Sequence, residues 1–279
     1  MKKIIAAIDG LKYSGSTTRY AVQLAKQTHA HLVGVFLDDF TYHSYKIYEL
    51  IGNEGVSEEI RDELESKDKE SRHAAVSDFE QVCQEASIEY TLHHDRSIAR
   101  RELLHESIYA DLLVIDRKET FTHYDETLPT RFVRDLLSDV QCPVLLVPEK
   151  YKPIDKLVLL FDGDPVSVHA IRMFSYVFAA LKYLPVEVIT VKNTSQSLHL
   201  PDNKLMKEFM KRHFPAATYR VLKGVPETEI INNLRQYNSN ALVVLGAYSR
   251  GMVSRWFRSS MADVLMNAVN LPLFIAHTK

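Results

Sequence analysis

What this sequence has little of narrows the field at once. It holds two cysteines, Cys83 and Cys142, in 279 residues. Neither lies in a CxxC pair or a framework spacing, which excludes a disulfide scaffold and predicts reduced thiols in a cytoplasmic protein. No apolar run approaches the length of a membrane span, so no membrane association is expected. The opening MKKIIAAIDG has two lysines before a short apolar run. Asp9 breaks that run and no small-residue cleavage site follows, so it reads as a first strand rather than a signal peptide. Glycine is sparse, with nine in all, and GxxxxGK[ST], GxGxxG and GxSxG are absent, as is HExxH.

Excess charge of one sign is also missing overall, with 34 Lys and Arg against 36 Asp and Glu. The distribution is uneven. Residues 1–150 carry 18 basic against 27 acidic side chains, and residues 151–279 carry 16 against 9. Halves of net −9 and +7 predict two units that attract each other, the second being the better host for an anion. Its basic residues are scattered rather than clustered, so no nucleic-acid surface is expected.

What is present is an alternation of short apolar runs with helical periodicity. In the first half strands are predicted at Lys3–Ile8, His31–Leu37, Ile88–Leu92, Asp111–Ile115 and Cys142–Val147. Helices are predicted at Ser14–Lys26, Glu58–Ala86, Ala99–Tyr109 and Leu128–Leu137. From Tyr151 the order recurs. Strands fall at Lys156–Phe161, Val186–Val191, Thr218–Leu222, Ala241–Leu245 and Leu273–Ala276, with helices at Val166–Leu181, Asp202–His213, Glu227–Tyr237 and Ser254–Val269. Each half opens with a strand ending in Asp-Gly and closes on a proline-led apolar strand, CPVLLVP and LPLFIAH. This is an internal duplication of one α/β domain, with a boundary at Glu149–Pro153 and domains at 1–150 and 151–279. Apolar strands alternating with helices predict doubly wound parallel sheets with right-handed crossovers.

The stretch Ala241–Met261 reads as strand, glycine-containing loop and helix start, where free backbone N–H groups can hold an anion. Arg250, Arg255 and Arg258 lie in it, with the hydroxyls of Ser249, Ser254, Ser259 and Ser260.

These residues resemble the phosphate loop of the universal stress protein family in its tandem form. That loop runs glycine, two residues, glycine, nine residues, glycine, then serine or threonine. Gly246 matches the first glycine and Ser260 the final hydroxyl, while Ser249 and Ser259 replace the other two glycines. Asp9 and Asp162 match the family's first-strand Asp, and Gly224-x-Pro226 its turn after strand three. The resemblance implies an adenine-nucleotide alpha-hydrolase-like fold with strand order 3-2-1-4-5 in each domain. It also implies pairing of the two domains through their last strands, Val144–Val147 against Leu273–Ala276. A homodimer and an unknown protein partner are compatible with it.

The resemblance implies an ATP site in the second domain, formed by Asp162, Val191, Gly246, Ser249, Arg250, Ser259, Ser260 and Met261. Serines at 249 and 259 put side chains where close backbone approach is needed, so binding there is expected to be weakened. The matching stretch of the first half, Asp116–Thr130, has no glycine and carries Asp116, Glu119, Asp125 and Glu126, which would repel phosphate. Phe36 is expected to fill the place that Val191 takes in the second half, so the first domain is expected not to bind ATP. The implied function is a non-enzymatic stress-response binding module. A working ATP-binding protein with slow hydrolysis and a pure interaction scaffold are the alternatives. His29/His31 and His93/His94 are the only close histidine groups, and no carboxylate or cysteine stands at ligand spacing beside them, so no metal is expected. The cluster Tyr42–Tyr48 is expected to pack or to line a partner surface.

Overall fold

The computed structural model describes residues 1–37, 58–95, 98–192, 199–237, 240–247 and 260–277. The Tyr42–Tyr48 cluster lies outside them. Strand β1, Lys3–Ile8, is buried from Ile4 onward on both faces, as a central parallel strand must be when helices cover both sides. It pairs in parallel with β2, His31–Leu37, and with β4, Leu112–Asp116. Strand β3, Tyr90–Asp95, lies outside β2, and β5, Val144–Val147, lies beyond β4.

The second half repeats this arrangement. Strand β6, Lys156–Leu160, is flanked by β7, Val186–Lys192, and β9, Ala241–Gly246. Strand β8, Thr218–Lys223, lies outside β7, and β10, Leu273–Ala276, beyond β9. One ten-stranded sheet results, in the order β3-β2-β1-β4-β5-β10-β9-β6-β7-β8. Among the described residues only β5 and β10 meet antiparallel, with Phe274 opposite Leu145 and Ile275 opposite Val144. The predicted pairing of last strands is the pairing observed.

Helices α1, Gly15–Thr28, and α2, Glu58–Ala86, cover one face of the first half; α3, Ala99–Ser107, and α4, Arg131–Asp139, cover the other. In the second half α5, Pro165–Val177, and α6, Asn203–His213, share the face of α1. Helices α7, Pro226–Arg235, and α8, Met261–Ala268, share the face of α4. Helix α2 is mostly charged, but Ala75, Phe79 and Cys83 at four-residue spacing are buried, giving one apolar stripe. Helix α4 starts later than its periodicity suggests, because Thr130 caps it by accepting the Val133 N–H at 3.2 Å. The β3 prediction ended early, since the polar His93-His94-Asp95 still pairs with β2 at its outer edge.

Each half clamps the start of its first strand with a buried glutamate. Lys3 Nζ meets Glu106 at 3.1 Å, and His93 Nδ1 meets the same carboxyl at 2.5 Å. Lys156 Nζ meets Glu187 at 2.6 Å, joined by Arg220 at 2.5 Å and by the donated Tyr237 hydroxyl at 2.7 Å. Burial works against ionisation of both carboxyls, but these partners outweigh it and hold both below the usual range.

Candidate functional site

The carboxyl ends of β6, β7 and β9 meet where the chain leaves β6 for one face and β9 for the other, the usual place for a ligand crevice in an open α/β sheet. A cavity of about 170 Å³ lies there. Its walls are mostly apolar: Phe161, Ile189, Val191, Ile230, Leu245 and Met261 among them, with Asp162 and Gly246 at its edge. Four residues expected at a nucleotide site, Asp162, Val191, Gly246 and Met261, therefore line one space. Ser249, Arg250 and Ser259 lie outside the described residues.

Each of the assembled residues has a local reason for its place. Asp162 is exposed and its Oδ1 accepts the Asp164 N–H at 2.9 Å, closing a turn at Gly163, whose φ is +91°. Asp164 in turn caps α5 by accepting the Val166 N–H at 2.9 Å. Gly246 is required by packing. A Cβ there would lie 2.5 Å from the carbonyl oxygen of Val166 and 2.7 Å from its Cγ1. The end of β9 thus rests directly on the first turn of α5.

Ser260 is the N-cap of α8 in a capping box. Its hydroxyl oxygen accepts the Asp263 N–H at 3.2 Å, and the Asp263 carboxylate accepts the Ser260 N–H at 3.3 Å. The helix end that could attract a phosphate is thus already supplied with a carboxylate. The chemistry on offer is a largely apolar cavity with one exposed carboxylate, Asp162, in its lining.

The first half differs in ways sequence reading only partly anticipated. The register places Leu37, not Phe36, opposite the position of Val191: Ala7 pairs with Val35 as Leu160 pairs with Ile189. Phe36 faces the other side of the sheet, edge-on to Phe79 at 5.7 Å and stacked on His94 at 5.3 Å. A one-residue slip moves a side chain to the opposite face, so the expectation placed on Phe36 is corrected. Leu37 is fully buried in the position it was meant to fill.

Asp116 stands where the second half has Gly246, as their shared alignment with Val147 and Ala276 shows. The stretch from the first-strand Asp to the helix cap is three residues longer here, Asp9 to Ser14 against Asp162 to Asp164, and the Asp116 carboxylate accepts the hydroxyl of Ser14, the α1 cap, at 2.8 Å. Glu119 does something other than repel. It is buried, and its Oε1 accepts the backbone N–H groups of Thr120 at 2.9 Å and Phe121 at 2.8 Å. Burial and the nearby Asp9 carboxylate push its pKa up to about 8. The loop thus holds an internal carboxyl group on two of its own backbone donors. Nothing in its sequence context marked Glu119 apart from the other acids.

Arg117, the next residue after β4, was also missed. Its guanidinium crosses to the second half and donates to the Val269 carbonyl at 2.5 Å and to Asn270 Oδ1 at 2.7 Å. Asn267 returns a bond to the Leu128 carbonyl at 2.8 Å. The stretch Asp116–Thr130 is thus a strut between halves.

Among the described residues no three metal-ligating side chains converge, and no helix is long and apolar enough to cross a membrane. Cys83 is buried in the core, its thiol pushed up to about 12 by desolvation and by Glu80.

No protein-family model and no curated protein matches the chain. Solved structures do. A universal stress protein from Archaeoglobus fulgidus DSM 4304 superposes with a TM-score of 0.71 at 13% identity, covering 99% of this chain and 98% of that one. A putative universal stress protein from Pseudomonas aeruginosa UCBPP-PA14 gives 0.64 at 14% identity, covering 99% and 93%. A protein described as functionally unknown, from Pseudomonas aeruginosa PAO1, gives 0.64 at 13% identity, covering 99% and 92%. The chain has the fold of the universal stress proteins, run twice along one polypeptide.

Proposed function

We propose that the protein is a non-enzymatic stress-response binding module of two domains, 1–150 and 151–279, acting in the cytoplasm. Adenine-nucleotide recognition is confined to the second domain and rests on the base more than on the phosphates. The observation that carries this reading is the apolar slot that brings Asp162, Val191, Gly246 and Met261 together. A ring buried there gains from apolar contact, while Asp162 is placed to accept from a ribose hydroxyl. The carboxylate of Asp263 at the start of α8 disfavours a triphosphate, which supports weakened rather than strong ATP binding. No general base or nucleophile is assigned, and hydrolysis is not part of the proposal.

Calorimetry with adenosine and with Mg-ATP tests it. Both should bind in the ~0.1–1 mM range, with ATP no more than ~10-fold tighter. Val191→Phe, which fills the slot, should abolish both heats at unchanged melting temperature. No heat with either ligand at saturating concentration would overturn the reading and leave an interaction scaffold. Tight ATP binding with measurable turnover would favour a working ATPase.

A further inference from the structure

One segment of the first half grips the second. It is the stretch Asp116–Thr130, and Glu119 organises it. The Glu119 N–H donates to the Asp116 carbonyl at 3.1 Å, and the Glu119 carbonyl accepts the Thr130 hydroxyl at 2.6 Å. Its carboxyl holds the N–H groups of Thr120 and Phe121. Phe121 is buried with its ring 4.7 Å from that of Phe132, and its φ is +46°. A bulky L residue keeps that left-handed backbone only where its surroundings impose it. The hydrogen bond from Phe121 to Glu119 is part of what imposes it here.

The grip falls on one end of α8. Arg117 donates to the Val269 carbonyl and to Asn270 Oδ1, and Asn267 donates to the Leu128 carbonyl. These bonds engage the last turn of α8 and the two residues after it. At eight residues α8 is shorter than the ~12–15 that an isolated helix needs in water, so its order comes from what it packs on. Its opposite end, Met261, lines the 170 Å³ cavity.

The carboxyl of Glu119 is buried, and among the described residues two charged groups act on it. Asp9, just past β1, opposes its ionisation, and Lys12, between β1 and α1, favours it. Lys12 Nζ also donates to Thr120 Oγ1 at 3.0 Å. Arg72 of α2 lies against Gly10, the neighbour of Asp9. The other nearby cations are paired elsewhere, Lys118 with Glu149 and Arg131 of α4 with Asp135. Burial and Asp9 prevail, so the closed loop keeps its proton through neutral pH. Opening the loop exposes the carboxyl to water, where it ionises at its ordinary value of 4.5. Opening therefore becomes easier by up to about tenfold per pH unit from pH ~4.5 to ~8, and levels off above that.

We propose that the Asp116–Thr130 loop is a proton-responsive clamp on α8. With Glu119 protonated the loop stays closed and pins the end of α8; when Glu119 ionises the loop lets go, and α8 loosens together with the cavity wall it carries at Met261. Coupling of this kind needs a contiguous network and an element with two states. The network here is Glu119, the loop, Arg117 and α8, and the element is the loop. The proposal stands whatever the cavity binds.

The test is methyl NMR of the full-length chain, labelled at methionine and valine, from pH 6 to 9. The methyl signals of Met261 and Val269 should move with one midpoint near pH 8, together with the amides of Thr120 and Phe121. The methyl of Met206, on α6 on the other face of the sheet, should stay in place. Glu119→Gln should leave Met261 and Val269 flat across the range. Arg117→Met keeps Glu119 but removes two of the bonds to α8: Thr120 should still titrate, while the movement at Met261 should fall at least ~2-fold. A through-space effect of the new charge would survive that substitution undiminished. Flat Met261 and Val269 signals in the natural protein, an unchanged titration in Glu119→Gln, undiminished movement at Met261 in Arg117→Met, or movement of Met206 in step with Met261 would each overturn the proposal. If Arg117→Met does not fold, Glu119→Gln and Met206 decide.

Discussion

Glu119 makes the sharpest prediction because one carboxyl group couples the first-half loop to pH. In the folded protein its pKa is raised to about 8 by burial first and by Asp9 second, from an ordinary value of 4.5. The folded state therefore holds a proton through a range in which the unfolded chain has lost it. Stability contributed by this group is fully present below pH ~4.5 and is lost as pH rises through ~8, since the folded state binds more protons. Each unit of difference is worth about 1.4 kcal/mol, so the protein should lose about 3 kcal/mol between pH ~4.5 and 7 on this account alone. Glu119→Gln keeps a carbonyl oxygen for the N–H groups of Thr120 and Phe121 and removes the titration. Urea melts from pH 5 to 9 should show the variant close to the natural protein at pH 5 and more stable than it by about 3 kcal/mol or more at pH 8. Glu119→Ala leaves both buried N–H groups without their acceptor and should be destabilised by about 2–4 kcal/mol at pH 5, a deficit that shrinks towards pH 8 because this variant too lacks the titrating carboxyl. Parallel stability curves for the natural protein and Glu119→Gln would refute the reasoning, because they would mean that no proton is held there on folding.

Three further perturbations follow from packing. Gly246→Ala drives a Cβ to 2.5 Å from the Val166 carbonyl oxygen and should cost about 2–3 kcal/mol in chemical unfolding. A loss of ligand in that variant would not by itself report on the slot. Lys156→Ala leaves buried Glu187 with its hydrogen-bonded neighbours but without its 2.6 Å lysine partner, and should lower stability by about 3 kcal/mol. Arg117→Met keeps the side chain's length and removes both charged hydrogen bonds to Val269 and Asn270; a cost of about 2 kcal/mol is expected, with faster amide exchange at β5 and β10.

The order of elements was legible in the sequence for a physical reason, while the strand order and the β5–β10 pairing followed from the family resemblance. Strands buried on both faces are continuous apolar runs, and Asp-Gly and Pro mark their ends, so both copies carry the same punctuation. The slot was legible as far as Asp162, Val191, Gly246 and Met261. What was not legible depends on register or on partners far along the chain. Phe36 and Leu37 are adjacent and both apolar, and only pairing with β1 decides which faces the slot. Glu119 and Asp116 look alike as charges, yet one is buried on two N–H groups and the other accepts the hydroxyl of Ser14, the cap of a helix that a longer loop has set back. Arg117 reads as a surface cation until Val269, 152 residues away, is beneath it.

These late-found residues have a common sense. In the first half Leu37 occupies the slot position, Glu119 two backbone donors of its loop, and Arg117 the Val269-Asn270 turn across the junction. In the second half Val191 stands at the first of those places and lines a cavity of about 170 Å³. The two copies share one strand order, so at these matched positions the difference is one of side-chain length. A copy that fills its own clefts gains packing and hydrogen bonds at the expense of ligand space; one that leaves them open keeps the space. On that ground the ligand site proposed above falls in the second half, where the smaller Val191 stands at the matched position beside the cavity.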